Sequence, residues 1–141
     1  MTVPASTAAA LIAKAAAFDN RTVTEAAAAA WAEALDDYVT LTDGAAAVSA
    51  HYAQTRDWIM PSNINAAVRK IRRDRADAAP TPPAPPLLLD TKDDIAWRRS
   101  WLDAITAGAT PDEATQAANE AHGLDLTAIS PRTTRQIGNL L

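Results

Sequence analysis

Five of the seven residues in Arg69-Lys70-Ile71-Arg72-Arg73-Asp74-Arg75 are basic, and Arg69, Arg72 and Arg73 share one helical face. Guanidinium groups at that spacing suit phosphates or an acidic protein surface, and the same cations also favour a helix C-terminus. A second cluster is Ile95-Ala96-Trp97-Arg98-Arg99-Ser100-Trp101-Leu102. Wound as a helix, Ile95, Trp97, Trp101, Leu102, Ala104 and Ile105 fill a broad arc, with Arg98 between Ile105 and Leu102. Trp and Arg together in an exposed apolar patch have the composition of an interface hot spot. Trp97, Arg98, Trp101, Leu102 and Ile105 are therefore expected to form a docking face. The competing reading is a small local core, with the Arg98 stem running past the indoles. Catalytic chemistry is thin by comparison. There is no cysteine, only His51 and His122 carry imidazoles, and with four glycines neither GxGxxG nor GxxxxGK[ST] occurs. His51, beside Tyr52, suits a hydrogen bond at a helix contact, and Asp36-Asp37 suit a turn. No catalytic residue, metal site or cofactor is expected, and the chain reads as a binding protein rather than an enzyme.

These clusters need elements to hold them. The chain has 141 residues, 48% hydrophobic and 21% charged, with a formal net charge of −4. About a quarter of it is alanine, which favours helix but buries little surface, so few large side chains are left to build a core. The run Pro80-Thr81-Pro82-Pro83-Ala84-Pro85-Pro86 predicts an extended polyproline II spacer. It divides the chain into a helical N-terminal domain (1–79), a linker (80–86) and a short helical C-terminal segment (87–141). The first block carries 8 basic and 9 acidic residues, and the remainder 5 and 8. The acidic balance tells against nucleic acid as the main partner. An N-terminus without a secretory pattern and the lack of a spanning apolar run point to a cytoplasmic protein that does not engage a membrane.

The fold class expected is all-α, with four short helices in the N-terminal domain. The first runs from about Ser6 to Ala17 with Ala8, Leu11, Ile12 and Ala15 on one face. The second is capped by Thr24 and carries Ala27, Trp31, Ala34, Leu35 and Tyr38. A third opens at Thr42 or Asp43, and a fourth is capped by Ser62 with Ile64, Val68 and Ile71 inward. The expected core is Leu11, Ile12, Phe18, Trp31, Leu35, Tyr38, Val48, Tyr52, Trp58, Ile59, Ile64, Val68 and Ile71. Beyond the linker, Thr91 is expected to cap a helix that Gly108 terminates. Thr110-Pro111-Asp112-Glu113 is a capping box for another, ended by His122-Gly123, and a third short helix is expected near Ser130-Pro131. With only alanines facing inward from the second of these, the segment is expected to be mobile or to become ordered on a partner.

Within the first block, Trp31-x3-Leu35-x2-Tyr38, Asp43-x-Ala45 leading to His51-Tyr52, Trp58-Ile59-Met60-Pro61-Ser62-x-Ile64 and Val68-x2-Ile71-Arg72-x2-Arg75 resemble the phage helicase loader and inhibitor family. The resemblance spans residues 8–76. It implies a small helical N-terminal domain followed by a flexible C-terminal part. It also implies binding to a DnaB-type hexameric replicative helicase of phage or host, which is held inactive and delivered to the origin with an initiator protein. On that basis the docking face above would seat on a helicase subunit. Arg69, Lys70, Arg72, Arg73 and Arg75 would meet the initiator or, secondarily, DNA. Two other readings stay open: a small helix-turn-helix-like DNA-binding regulator, with Asn63 and Asn65 as the few base-reading candidates, and a phage inhibitor of a host replication or transcription protein.

Overall fold

A computed structural model describes residues 2–85 and 90–123. Among them there are six α-helices and no strand: α1 (Ala5–Asp19), α2 (Glu25–Ala34), α3 (Leu41–Gln54), α4 (Pro61–Ala78), α5 (Thr91–Thr106) and α6 (Pro111–Ala121). The protein is all-α. The helix expected near Ser130-Pro131 and the last residue of the proline run, Pro86, lie outside the described residues. Two compact units are present, Met1–Asp74 and Arg75–Leu141.

In the first unit, α1 buries Ala8, Leu11, Ile12 and Ala15, the stripe its sequence spacing predicts. The helix stops where Asn20 adopts a left-handed conformation (φ 60°). Thr24 caps α2 by accepting from the Ala27 amide at 3.0 Å. α2 was expected to continue to Tyr38, but it ends at Ala34. The reason lies on α4: Asn65 donates to the Ala34 carbonyl (3.0 Å) and accepts from the Asp36 amide (2.8 Å). A buried side-chain amide thus satisfies the backbone at the break, and Leu35 enters the core from an extended conformation. The cap of α3 is Thr40, which accepts from the Asp43 amide, rather than Thr42 or Asp43. Fully buried Leu11, Ile12, Val48, Ile59, Ile64 and Val68 form the centre, joined by Val3 and Val39.

At Gly44, α3 lies tightly against Leu11 of α1. A Cβ placed there would lie 2.8 Å from both Leu11 methyl carbons, and Leu11 is wholly enclosed. Gly44→Ala is therefore expected to destabilise by about 1 kcal/mol, overpacking outweighing the gain in helix propensity. A urea midpoint lower than the parent's checks it.

Three expected core residues differ: Ile71 is only half-buried and stands outside the core, and two aromatics are exposed. Phe18 is 52% and Trp58 58% exposed. Phe18 lies at the end of α1, beyond the stripe facing α2 and α3, and Trp58 sits in the α3–α4 loop, where Ile59 takes the inward position.

The second unit is built on α5 and α6. Asp90, one residue before the expected Thr91, caps α5, and the Thr110 capping box is present with both hydrogen bonds made. Gly108 and Gly123 have positive φ at the two helix ends, as the terminator positions require. Trp97, Trp101, Ile105, Ala114 and Ala118 form a core of their own, with Ala79, Ala104 and Ala109 around it. The alanine face of α6, which looked too poor to bury anything, lets two indoles lie close against it.

Candidate functional site

The docking face expected on α5 is corrected first. Trp97 is 0% and Trp101 1% exposed, and Ile105 is buried beside them. The indole N–H of Trp97 donates to Asn119 Oδ1 at 3.0 Å, and that of Trp101 to Thr115 Oγ1 at 3.2 Å. Residues at i, i+4 and i+8 form one stripe of the helix, and α6 covers it. The competing expectation, a local core, describes these three residues.

What α5 leaves outside is the stripe Ile95, Arg98, Arg99 and Leu102, at i, i+3, i+4 and i+7. Ile95 is 53% and Leu102 39% exposed. Arg98 Nε lies 3.1 Å from Asp94 Oδ2, which holds the guanidinium along the helix, and Arg99 is exposed. At the N-terminal end of this stripe an open hollow of about 550 Å3 is lined by Thr91, Lys92, Ile95, Ala96 and Arg99. An apolar floor with a basic rim suits a partner with a protruding apolar side chain and acidic neighbours. Of the five residues expected at the docking face, Arg98 and Leu102 therefore share an accessible surface. Ile95, Lys92 and Arg99 join them.

The basic stretch on α4 is not one patch. Arg69 Nη2 pairs with Asp36 Oδ2 at 2.8 Å, its Nε donates to Tyr38 Oη at 2.8 Å, and Tyr38 Oη donates to Asp36 at 2.7 Å. The Tyr38 hydroxyl, and then Arg69, hold the Asp36 carboxyl below its usual range, and hydrogen bonds to Tyr38 and then Asp36 raise Arg69. Asp36 is thus an ion-pair partner and not a solvent-facing turn residue. The Arg72 guanidinium lies 4.8 Å from the Tyr38 ring centre, Lys70 pairs with Asp74 at 2.7 Å, and Arg73 is exposed. Arg75 belongs to the second unit, where it approaches the Thr106 carbonyl at 3.4 Å. Arg69 and Arg72 are brought together on Tyr38, with Arg73 on the open side. Asn65, one of the two base-reading candidates, is buried against the end of α2, and Asn63 Oδ1 accepts from the Met60 amide.

A third cluster was not foreseen. Arg21, in the α1–α2 loop, donates from Nε and Nη2 to the Asp19 carboxylate (2.6–3.0 Å), with side chains 8% and 4% exposed respectively. Its guanidinium stands 5.3 Å from the Trp31 ring centre and 4.7 Å from that of Trp58. Tyr52 donates to the same carboxylate and accepts from the Ile59 amide, while Phe18 stacks on Tyr52 at 4.9 Å. Hydrogen bonds from Arg21, aided by Tyr52 and opposed by burial, lower the Asp19 carboxyl to about 2. His51 Nε2 contacts the Asp57 carbonyl at 2.6 Å, a structural contact as expected, but to the α3–α4 loop rather than to another helix. The sequence carries no signal for Arg21: a single loop arginine has no periodicity to read.

Among the described residues no group of three or more His, Asp or Glu side chains is placed to hold a metal ion, and no helix is long and apolar enough to cross a membrane. No protein-family model, curated protein or solved structure matches this chain.

Proposed function

We propose that this chain is a non-enzymatic replication adaptor that binds a DnaB-type hexameric replicative helicase, of phage or host, and restrains or loads it. Its layout in this reading is a four-helix head (1–79), a proline spacer (80–86) and a helical tail (87–141), working in the cytoplasm of a bacterial host. The choice of partner rests on the residues within 8–76 that resemble the helicase loader and inhibitor family. The observation that carries an adaptor role is the exposed apolar and basic stripe of α5, Ile95, Arg98, Arg99 and Leu102, lying opposite a fully formed core. Such a stripe, on a helix already folded, docks without having to be ordered first. Arg69, Arg72 and Arg73 would then meet a second partner, the initiator or DNA phosphates. With Asn65 buried in the core, the DNA-regulator reading loses a base-reading candidate, so phosphate contact is the form DNA binding would take. Six copies around a hexamer would gain by avidity, and unequal affinity for two helicase states would supply the regulation.

Gel filtration with the purified replicative helicase tests this. The protein is expected to co-elute with the hexamer, and Arg72→Ala/Arg73→Ala is expected to leave that complex intact while weakening capture of initiator or DNA. Failure of the parent protein to co-elute with either phage or host helicase overturns the reading.

A further inference from the structure

The proline run and the aromatic end of the first unit are chemically complementary. From Ala79 to Pro85, every third residue is half-buried: Ala79, Pro82 and Pro85, with Pro80, Thr81, Pro83 and Ala84 exposed between them. A three-residue repeat is that of a polyproline II helix, whose one edge lies against the protein while Pro80 and Pro83 form another edge facing solvent. Ala79 anchors that inner edge on the Trp97 core. A polyproline II segment makes no internal hydrogen bonds, so its carbonyls need donors and its rings need flat apolar faces.

Both are present around Trp58. Arg21 occupies one face of the indole, and the residue still keeps 58% of its surface exposed. Trp97 and Trp101 spend their N–H groups on Asn119 and Thr115, whereas the Trp58 N–H has no acceptor among the described residues. Phe18, also exposed, is fixed by stacking on Tyr52, and Tyr52 shares the Asp19 carboxylate with Arg21. The rings are thus held by a charged network beneath them, a preorganised surface that loses little freedom on binding.

We propose that this aromatic surface, centred on Trp58 with Phe18, binds a polyproline II segment, and that its occupant is the Pro80–Pro83 edge of a second copy of the chain. Proline rings stack on the free indole face, and the Trp58 N–H donates to a proline-run carbonyl. Because donor surface and ligand lie on one chain, the contact is head-to-tail and repeats from copy to copy, closing into rings or extending as filaments. It stands independently of the choice of helicase as partner.

The test uses the full chain and a peptide of residues 79–86. In nitrogen-15 spectra the Trp58 indole N–H, assigned by its loss in Trp58→Phe, is expected to shift saturably on adding the peptide, while those of Trp97 and Trp101 stay in place. A peptide with Pro80→Ala and Pro83→Ala is expected to leave all of them unmoved. In sedimentation velocity, self-association of the chain is expected to weaken at least about tenfold in Trp58→Ala, and likewise in Pro80→Ala/Pro83→Ala. An unmoved Trp58 signal at millimolar peptide, a chain that stays monomeric at all concentrations, or association unchanged in both variants overturns the proposal. Because Trp58 is exposed, unchanged melting of Trp58→Ala separates lost binding from lost folding.

Discussion

Trp97→Ala is expected to melt α5 and α6 while the amides of α1 to α3 stay protected. Removing a fully enclosed indole costs about 3–5 kcal/mol. The second unit has little to set against that loss. Its buried core is Trp97, Trp101, Ile105 and two alanines, and alanine side chains contribute little transfer energy. The substitution also strips Asn119, itself buried, of its indole donor. A domain of this size is held by only a few kcal/mol, so the hairpin should be largely unfolded in water at room temperature. Amide hydrogen exchange checks it: α5 and α6 should exchange at near-unfolded rates, whereas Trp97→Phe should keep part of their protection. Protection of α5 unchanged in the alanine variant would mean that the indole is not structural.

The second large effect lies at Asp19. Asp19→Ala leaves the Arg21 guanidinium enclosed without its anion and removes an acceptor from Tyr52, at a cost of about 3 kcal/mol to the first unit. The same pair makes stability depend on pH. The carboxyl titrates at about 2 in the folded chain, below its value in an unfolded chain. Its contribution is therefore fully present above about pH 4 and is lost as pH falls through about 2, a loss of about 2 kcal/mol. Unfolding free energies of the parent from urea titration should fall between these limits by that amount more than those of Asp19→Asn, which has no charge to lose. Parallel pH profiles for the two proteins would refute the assignment.

Much of the fold was legible because it is local. The Thr24 and Thr110 caps, the Ala8-Leu11-Ile12-Ala15 stripe and the Gly108 stop each depend on residues within a turn or two, and sequence spacing reports such features directly. The end of α2 was not legible, since Asn65 on α4 makes it. The α5 site was legible as a helix but not as a face. Trp97 and Trp101 look like an exposed anchor when the opposing helix offers only alanines, yet small side chains are what let α6 approach closely enough to cover them. Once that contact forms, the exposed stripe is the opposite one, and Arg98 and Leu102 are the members of the expected set that it keeps. Phe18 and Trp58 failed as core assignments for a related reason. Large aromatics default to the interior, and only the Asp19–Arg21–Tyr52 network, which spans a loop and two helices, holds them at the surface.

The proposed docking face on the outer stripe of α5 rests on its two exposed apolar residues, Ile95 and Leu102. The affinity of the replicative helicase for Ile95→Ala/Leu102→Ala is measured by fluorescence anisotropy beside that of the parent, with thermal melting recorded for both. Melting should be unchanged, because both residues lie outside the core, and binding should weaken by about 30-fold or more, as for loss of two interface anchors. Equal affinity for parent and variant would contradict it and move the contact off α5.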